Sequence, residues 1–382
     1  MSPQTDRHYE GRFAAPKKKP VRRITGAVLL LLVLLLSLAR LGAEAFKLLA
    51  YADIFIGGRN MLIYGAVKQV DMGDSVKEIP VYNEVPASEP EDDYILRLND
   101  GTTVVYQGRT YELNRDLVTI LFLGIDRDIY DAEIMGLGGH SDVLLLIALD
   151  TKTGQARILN ISREAYAEVE TYSADGSYIG TRPLQIAAAF AYGNGKDTSC
   201  ENAVRSVSRL LYGLPIRHYL ALDMNGIQAA NDAVGHVTLN ALEDMRMPDG
   251  TTFAKGEVIE LKGKWLDHYI RTRSHTVVDS NAKRMERQVQ YVQEFSKLAV
   301  AKSRKSLSFP VDLFSALAPY MVTNLTVPDV TFLSSTFLNH GASFTLRGLS
   351  GTYGVLNKTA VYYLDELDLF EAVLELFYTP VD

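Results

Sequence analysis

Two nearly continuous apolar runs constrain the fold of this chain more than any other feature. Residues 117–125 read LVTILFLGI, and residues 142–150 read DVLLLIALD. A strand with one face in water alternates apolar and polar residues, whereas a strand covered on both faces does not. A turn at 150–154 leads to a third apolar segment at 156–161. These segments predict strands of a central sheet that is covered on both faces.

Helical periodicity follows the predicted strands. Apolar positions recur at helical spacing over roughly 184–192, 200–212, 224–234 and 282–300, and a final amphipathic helix is predicted at about 365–378. Strands that alternate with helices are typical of a mixed domain with one central sheet. We therefore predict an α/β (α+β mixed) fold, with a central β-sheet flanked by helices.

The N-terminal segment predicts a membrane anchor. Residues 24–39 read ITGAVLLLLVLLLSLA, and continuation to Phe46 makes the segment long enough to cross a hydrocarbon core of about 30 Å. Basic residues are concentrated in the preceding segment, residues 1–23. The positive-inside rule then predicts a single-pass protein of the cell membrane, with a cytoplasmic N-terminus and an extracellular body. The alternative is a signal peptide cleaved near Ala43-Glu44-Ala45, which would also export the body.

The predicted organisation has five parts. They are a cytoplasmic basic tail (1–23), a transmembrane anchor (24–46), a β-rich spacer (47–115), a catalytic domain (116–302) and a C-terminal extension of that domain (303–382). The spacer is inferred from short alternating stretches separated by turn signals. Within it, Asn99-Asp100-Gly101 predicts a tight hairpin turn.

Composition excludes several function classes. The chain carries 39 basic and 46 acidic residues, and the basic tail makes the remaining body more acidic still. A nucleic-acid-binding protein needs a basic face, so no nucleic acid is predicted as a partner. Cys200 is the single cysteine, which excludes an intrachain disulfide and a cysteine-based zinc site.

Charged side chains stand at the ends of the predicted strands. Asp126 follows the strand at 117–125, Asp142 begins the next strand, and Arg163 follows the third. Ligand sites in open α/β sheets favour strand ends. If the strands are neighbours, these side chains can lie at one edge of the sheet. The alternative is that the aspartates only cap turns or helices.

A second group of candidate residues is basic. Arg271 and Arg273 follow a short amphipathic segment, and Arg284, Arg287 and Gln288 lie on the next predicted helix. In a helix, Arg284 and Gln288 share one face, with Arg287 beside them. Arginine is suited to bidentate recognition of phosphate. The alternative is a solvated face with surface ion pairs.

Together, the two groups indicate a polyphosphate bridged by Mg²⁺. This ion takes one or two carboxylates and fills its remaining positions with phosphate oxygens and water. Arginines neutralise the charge that develops on a leaving phosphate. The sequence has no Gly-rich loop ending in Gly-Lys-Ser/Thr after a strand, which argues against an ordinary nucleotide site.

These residues resemble the LytR-CpsA-Psr family of bacterial cell-envelope phosphotransferases. The similarity runs from about Thr119 to about Val300 and continues more weakly to the C-terminus. It also includes the predicted anchor and short basic tail. The motifs that carry it are Gly124-Ile125-Asp126, Ser141-Asp142, Ser162-Arg163-Glu164, Ala189-Phe190-Ala191-Tyr192-Gly193, Arg271-Thr272-Arg273 and Arg284 through Arg287-Gln288.

The resemblance implies an activity. Members of the family transfer a glycopolymer phosphate from an undecaprenyl-diphosphate carrier to peptidoglycan, which forms a phosphodiester during cell wall assembly. Teichoic acid and capsular polysaccharide are the usual polymers, and an apolar pocket between sheet and helices holds the lipid. With water in place of the sugar hydroxyl, the same site could act as a polyprenyl pyrophosphatase.

The resemblance also implies residue roles. Asp126 and Asp142 would hold Mg²⁺, and these two with Arg163 would be catalytic. The residues implied to bind the pyrophosphate are Arg163, Arg271, Arg273, Arg284, Arg287 and Gln288.

The sequence departs from the family pattern at four positions. Glu164 stands where the family usually has Asp, and Asn281 stands where it usually has an acidic residue. A Lys often found near Gln185 and an Asn expected at Ala187 are missing. Loss of the Lys weakens the expected phosphate site but leaves its arginines.

The alternative function is a non-catalytic protein that binds polyprenyl phosphate or cell-wall polymer. The arginines fit either function. Retention of both Asp126 and Asp142 favours an enzyme, because anion binding alone needs no metal.

Overall fold

The structure is a computed structural model that describes residues 103–126, 139–272, 280–357 and 359–381, without the side chains of 280–282. The strands are β1 (Thr103–Tyr106), β2 (Arg109–Leu113), β3 (Leu117–Ile125), β4 (Ser141–Asp150), β5 (Ala156–Ile161), β6 (Tyr166–Tyr172), β7 (Tyr178–Gln185), β8 (His218–Asp223), β9 (Thr238–Asn240), β10 (Met245–Arg246), β11 (Thr252–Phe253), β12 (Val258–Glu260), β13 (Met321–Thr323), β14 (Phe344–Gly348), β15 (Gly351–Leu356), β16 (Thr359–Leu364) and β17 (Tyr378–Val381). The helices are α1 (Ala188–Ala191), α2 (Asp197–Leu210), α3 (Met224–Val234), α4 (Lys264–Arg271), α5 (Ser280–Lys305), α6 (Phe309–Leu317), α7 (Val327–Asn339) and α8 (Glu366–Phe377).

A mixed sheet of six strands lies at the centre, in the order β13-β8-β3-β4-β5-β14. Strand β4 is antiparallel to both β3 and β5, whereas β8 is parallel to β3 and β14 is parallel to β5. The end of β3, the start of β4 and the ends of β5 and β8 therefore lie at one edge of the sheet. This edge carries the aspartates predicted to be functional.

The apolar runs of β3 and β4 bury both of their faces, as predicted. Leu121 and Leu123 lie in a core cluster with Phe190 of α1 and Phe370 of α8. Phe122, between them, packs with a second cluster that contains side chains of α3, α4 and α5. Successive side chains of a strand point to opposite faces. A continuous apolar run is therefore what a sheet with helices on both sides requires.

The predicted elements are largely confirmed. The three strand segments correspond to β3, β4 and β5, and the later helical patterns correspond to α2, α3, α5 and α8. The helix predicted at 184–192 is wrong over its first residues, since β7 continues to Gln185 and only Ala188–Ala191 are helical. Pairing of Gln185 with Tyr166 across the β6–β7 hairpin keeps these residues in a strand. Local periodicity cannot indicate such a cross-strand pairing.

A smaller sheet joins the two ends of the described chain. Strand β2 lies between β1 and β17, with antiparallel pairing on both sides. The Tyr106 hydroxyl donates to Glu371 Oε1 at 2.7 Å, and its ring packs edge-on against Phe370 with centroids 5.3 Å apart. The last part of the predicted spacer is thus packed against the C-terminal helix and strand.

Several predictions lie outside the described residues. They concern the tail (1–23), the anchor (24–46), the first part of the spacer with its turn at Asn99-Asp100-Gly101, and Arg273. Among the helices that the structure describes, none combines the length and apolar character needed to span a bilayer. The five-part division of the chain stays a prediction.

Candidate active site

Asp126 occupies the end of β3, at the edge of the central sheet. Its backbone N–H donates to the carbonyl of His140 at 3.2 Å, and its Oδ1 accepts the N–H of His140 at 2.8 Å. The pairing register of β3 and β4 shifts at Gly124/Ile125, where the edge begins. These contacts fix Asp126 beside the segment that starts β4.

Asp142 and Arg163 form an ion pair at the same edge. Arg163 Nη1 donates to Asp142 Oδ1, and the two side chains are 15% and 17% exposed, respectively. The Nε of Arg163 is buried and has no hydrogen-bond partner in the described structure. Since a buried donor left unpaired is unfavourable, this N–H is suited to donate a hydrogen bond to a ligand oxygen.

The backbone around Ala187 connects Arg163 to the start of β4. The N–H of Ala187 donates to the Arg163 carbonyl at 3.1 Å, and the Ala187 carbonyl accepts the N–H of Ser141 at 3.3 Å. Ala187 itself is fully buried. The structure therefore places Asp126, Asp142 and Arg163 at one edge of the central sheet, as the strand-end pattern predicted, and pairs Asp142 with Arg163.

The structure shows what two of the residues that depart from the family pattern contact. Gln185 Nε2 donates to the Ala360 carbonyl of β16 at 2.6 Å, so this side chain joins a neighbouring hairpin. Glu164 is buried, and its backbone carbonyl accepts the N–H of Tyr362 at 2.7 Å. The side chain of Asn281 lies outside the described structure.

The second candidate group lies where α4 ends against α5. Arg271 is the last residue of α4 and is exposed, whereas Arg284 and Arg287 on α5 are each 3% exposed. Gln288 Nε2 donates to the Ile270 carbonyl at 3.1 Å. The structure thus places Arg271 beside the part of α5 that carries Arg287 and Gln288.

Arg287 makes contacts that the sequence did not indicate. Its Nε donates to the Tyr269 carbonyl at 2.7 Å, and its Nη2 donates to the Thr272 carbonyl. Its Nη1 forms an ion pair with Glu243. Glu243 stands in an irregular segment between β9 and β10, and no periodicity or spacing marked it as a partner.

Burial also affects the tyrosine at this helix end. Desolvation raises the pKa of Tyr269 to about 12, against an opposing effect of the nearby Arg287 cation. The Tyr269 hydroxyl donates to Gln290 Oε1. Tyr269 is therefore neutral and packed near neutral pH, and it contributes a carbonyl acceptor to the site.

One further carboxylate lies at the sheet edge. Asp223 ends β8, and its backbone pairs in register with Ile125. Its Oδ1 accepts the N–H of Gly226 at 2.8 Å and caps the start of α3. Asp223 shows that the capping role considered for strand-end aspartates does occur at this edge.

Asp126 and Asp142 are compatible with a Mg²⁺ ion that arrives with a diphosphate. In the part of the chain that the structure describes, no group of three or more His, Cys, Asp or Glu side chains could hold a metal. Mg²⁺ commonly takes only one or two protein carboxylates and completes its shell with phosphate oxygens and water. Arg163 would share Asp142 with such an ion.

A family comparison matches most of the chain. The model of the LytR_cpsA_psr family matches residues 89–376. This range contains all eight candidate residues that the sequence indicated, from Asp126 to Gln288.

Curated relatives carry a common name, "Polyisoprenyl-teichoic acid--peptidoglycan teichoic acid transferase TagU". The protein of Bacillus licheniformis is 26% identical over 266 residues, which cover 69% of this chain and 78% of that protein. The protein of Bacillus mycoides is 28% identical over 280 residues, or 72% of this chain and 82% of the relative. The protein of Bacillus anthracis is 33% identical over 211 residues, or 55% and 61%.

Solved structures share the fold. TagV of B. subtilis matches with a TM-score of 0.53 and 22% identity, over 68% of this chain and 96% of that chain. Protein gbs0355 of Streptococcus agalactiae matches with a TM-score of 0.56 and 19% identity, over 68% and 87%. A structure of TagT bound to LI-WTA matches with a TM-score of 0.52 and 20% identity, over 68% and 89%.

Proposed function

The chain belongs to the LytR_cpsA_psr family, and we propose on that basis that it transfers a phosphate-linked glycopolymer to peptidoglycan. Curated relatives are named as teichoic acid transferases that act on polyisoprenyl-linked teichoic acid and peptidoglycan. This supports a teichoic-acid-like polymer as substrate. We further propose undecaprenyl diphosphate as the carrier.

One observation carries the assignment to this site. Arg163 has a buried Nε without a hydrogen-bond partner in the described structure, and the same guanidinium is paired with Asp142. Asp126 stands beside the start of β4. A cation that has an unused buried donor, is paired with Asp142 and lies at the sheet edge that also carries Asp126 suits a metal-bound phosphate oxygen better than a structural ion pair does.

The proposed reaction is a displacement at phosphorus. A hydroxyl of peptidoglycan forms a new bond to the phosphorus that bears the polymer, and its proton is released to solvent. The bond from that phosphorus to the bridging oxygen breaks, and polyprenyl phosphate leaves. Negative charge builds up on the leaving phosphate, so cations positioned there lower the barrier.

The residues have distinct roles in this proposal. Asp126 and Asp142 would hold Mg²⁺, and the ion would supply positive charge to neutralise the diphosphate. Arg163 orients the diphosphate through its Nη and Nε donors. Arg271, Arg273 and Arg284 add positive charge from a second side, as the family resemblance implies.

The proposed location follows from the N-terminal sequence. An anchor at 24–46 with a basic tail at 1–23 would hold the body against the outer face of the cell membrane. A membrane-embedded prenyl carrier and the cell wall are both accessible from that side. A body held there can reach both substrates without releasing either into solution.

The proposed function is tested with purified full-length protein in detergent. Labelled glycopolymer on a short-chain prenyl diphosphate is incubated with peptidoglycan fragments and Mg²⁺, and label attached to peptidoglycan is measured. We expect transfer by the wild type and a loss of about 100-fold or more in Asp126→Asn. The matched control is Asp232→Asn, which changes a carboxylate that is 63% exposed on α3 and should keep wild-type turnover.

The possible outcomes separate the candidate functions. Tight binding of the donor by the wild type without transfer would favour the non-catalytic carrier-binding alternative. Release of prenyl phosphate without attachment to peptidoglycan would indicate a pyrophosphatase. Unchanged transfer in Asp126→Asn would contradict the metal-binding role of Asp126.

A further inference from the structure

We propose that Arg287 is a positioning residue, which holds the C-terminal turn of α4 and does not bind the diphosphate itself. That turn ends at Arg271, and Arg273 follows two residues later in the sequence. The inference rests on the proposed function, because it distinguishes residues that bind the diphosphate from a residue that positions them. It replaces the direct binding role that the family resemblance implied for Arg287.

Each of the three nitrogens of the Arg287 guanidinium already makes a contact within the protein. Nε and Nη2 donate to the carbonyls of Tyr269 and Thr272, and Nη1 pairs with the carboxylate of Glu243. The Arg287 side chain is 4% exposed. A phosphate would have to reach this guanidinium in a place with almost no access to solvent and compete with contacts that already use each of its nitrogens.

The contacts meet the ordinary needs of a helix end. The last carbonyls of a helix accept no hydrogen bond from an N–H group of the same helix. The helix dipole also places partial negative charge at this end. Arg287 and Gln288 together supply donors to the carbonyls of Tyr269, Ile270 and Thr272. A guanidinium cation and an amide of α5 therefore cap the final turn of α4.

Glu243 completes the arrangement from a third segment. It pairs with Arg287, and the Nζ of Lys283 lies 3.2 Å from its other carboxylate oxygen. The Glu243 carboxylate therefore offsets part of the Arg287 charge before any ligand arrives, and it also faces the half-exposed Lys283 cation. An arginine paired in this way attracts a diphosphate less than an unpaired one would, and its hydrogen bonds hold the backbone carbonyls of Tyr269 and Thr272 on either side of Arg271.

Positioning and direct binding make different predictions for a double-mutant cycle. A residue that acts through Arg271 and Arg273 should lose its effect when those two side chains are gone. A residue that contacts the diphosphate itself should keep most of its effect in the same background. The cycle combines Arg287→Gln with the pair Arg271→Ala and Arg273→Ala.

The probe is farnesyl diphosphate with Mg²⁺, bound to the full-length protein at physiological ionic strength. Alone, Arg287→Gln should raise Kd about ten-fold, the scale of one charge-assisted hydrogen bond. In the background without Arg271 and Arg273 it should raise Kd less than about two-fold. Arg287→Lys should behave like Arg287→Gln, because an ammonium keeps the charge but loses the fork.

Glu243 provides a second test that leaves Arg287 unchanged. Glu243→Ala should weaken binding, because the fork loses one of its anchors. If Arg287 bound phosphate directly, removal of its competing carboxylate would strengthen binding instead. The matched control is Lys283→Ala, whose side chain is 47% exposed and pairs with the same Glu243; its Kd should change by less than about two-fold.

Folding is checked on every variant by its thermal unfolding midpoint. If Arg287→Gln does not fold, the cycle is run with Glu243→Ala, which leaves the arginine in place. Losses that stay about ten-fold in the background without Arg271 and Arg273 would overturn the positioning role. Tighter binding in Glu243→Ala would do the same.

Failure of this inference can be told from failure of the proposed function. Arg163→Ala reports on the diphosphate site without touching α4 or α5. Weak binding in Arg163→Ala together with independent losses at Arg287 and Arg271 would keep the proposed function and reject the positioning role. A wild-type protein that does not bind the probe would overturn both.

Discussion

Asp142 and Arg163 neutralise each other at the edge of the central sheet, where both side chains are mostly removed from water. A buried pair contributes little net stability, but each partner becomes costly when the other is removed. The unpartnered Nε of Arg163 leaves the pair one hydrogen bond short in the described structure. The Asp142–Arg163 pair is therefore compatible with a stable fold, and Arg163 Nε can still donate a hydrogen bond to a ligand.

At the residue scale, Asp142→Ala should destabilise the protein by about 2 kcal/mol, because it leaves the Arg163 cation without its carboxylate in a poorly hydrated place. Urea unfolding at pH 7 measures the change. The matched control is Glu294→Ala, which breaks an exposed ion pair with Lys297 and should cost less than about 0.5 kcal/mol. Equal effects in the two variants would show that the Asp142–Arg163 pair is effectively solvated.

At the element scale, the hairpin β1–β2 is tied to the C-terminal segment by backbone and side chains. Strand β2 pairs with β17 from Tyr378 to Val381, and Tyr106 is buried against α8. An isolated two-stranded hairpin is only marginally stable in water. Its order here depends on elements more than 250 residues away in sequence, since Tyr106 and Glu371 are 265 positions apart.

The hairpin contact can be tested at Tyr106. Tyr106→Phe removes the hydrogen bond to Glu371 and should lower the free energy of unfolding by about 1 kcal/mol. Tyr106→Ala also removes the ring packed against Phe370 and should cost about 3–5 kcal/mol. The control Tyr178→Phe loses only an exposed contact with Thr181 and should be nearly neutral. A small effect of Tyr106→Ala would mean that the hairpin unfolds separately from the body.

At the scale of the whole molecule, a buried histidine makes stability depend on pH. His218 begins β8 and is fully buried. Desolvation lowers the pKa of His218 to about 4; Asp329 opposes the shift and Arg217 adds to it. The unfolded chain binds this proton at a higher pH than the native protein does. Stability is therefore lost as pH falls from about 6.5 towards 4.

The pH dependence predicts a measurable difference between two proteins. The wild type should lose up to about 3 kcal/mol between pH 7 and pH 4 from His218 alone. The variant His218→Gln should show a smaller slope over the same window, whatever its stability at pH 7. Urea unfolding at several pH values measures both curves. Parallel curves would show that His218 is not held neutral by burial.

The sequence alone determined the local elements and the family. The apolar runs of β3, β4 and β5 specify buried strands because a strand covered on both faces needs no polar residues. Helical periodicity specifies α2, α3, α5 and α8, because apolar residues at helical spacing give each helix one face that can pack against the core. Asp126, Asp142 and Arg163 could be placed at strand ends, and neighbouring strands bring their ends together.

Only the tertiary structure decided the partners of those elements. The order β13-β8-β3-β4-β5-β14 joins strands from across the chain, and such pairing follows from the packing of the whole core. The contact of Arg287 with Glu243 spans 44 positions. Helical spacing puts Arg287 beside Arg284 and Gln288 whether its fork meets a phosphate or backbone carbonyls. That choice depends on which acceptors α4 and the β9–β10 segment bring within hydrogen-bonding distance, and no local pattern encodes it.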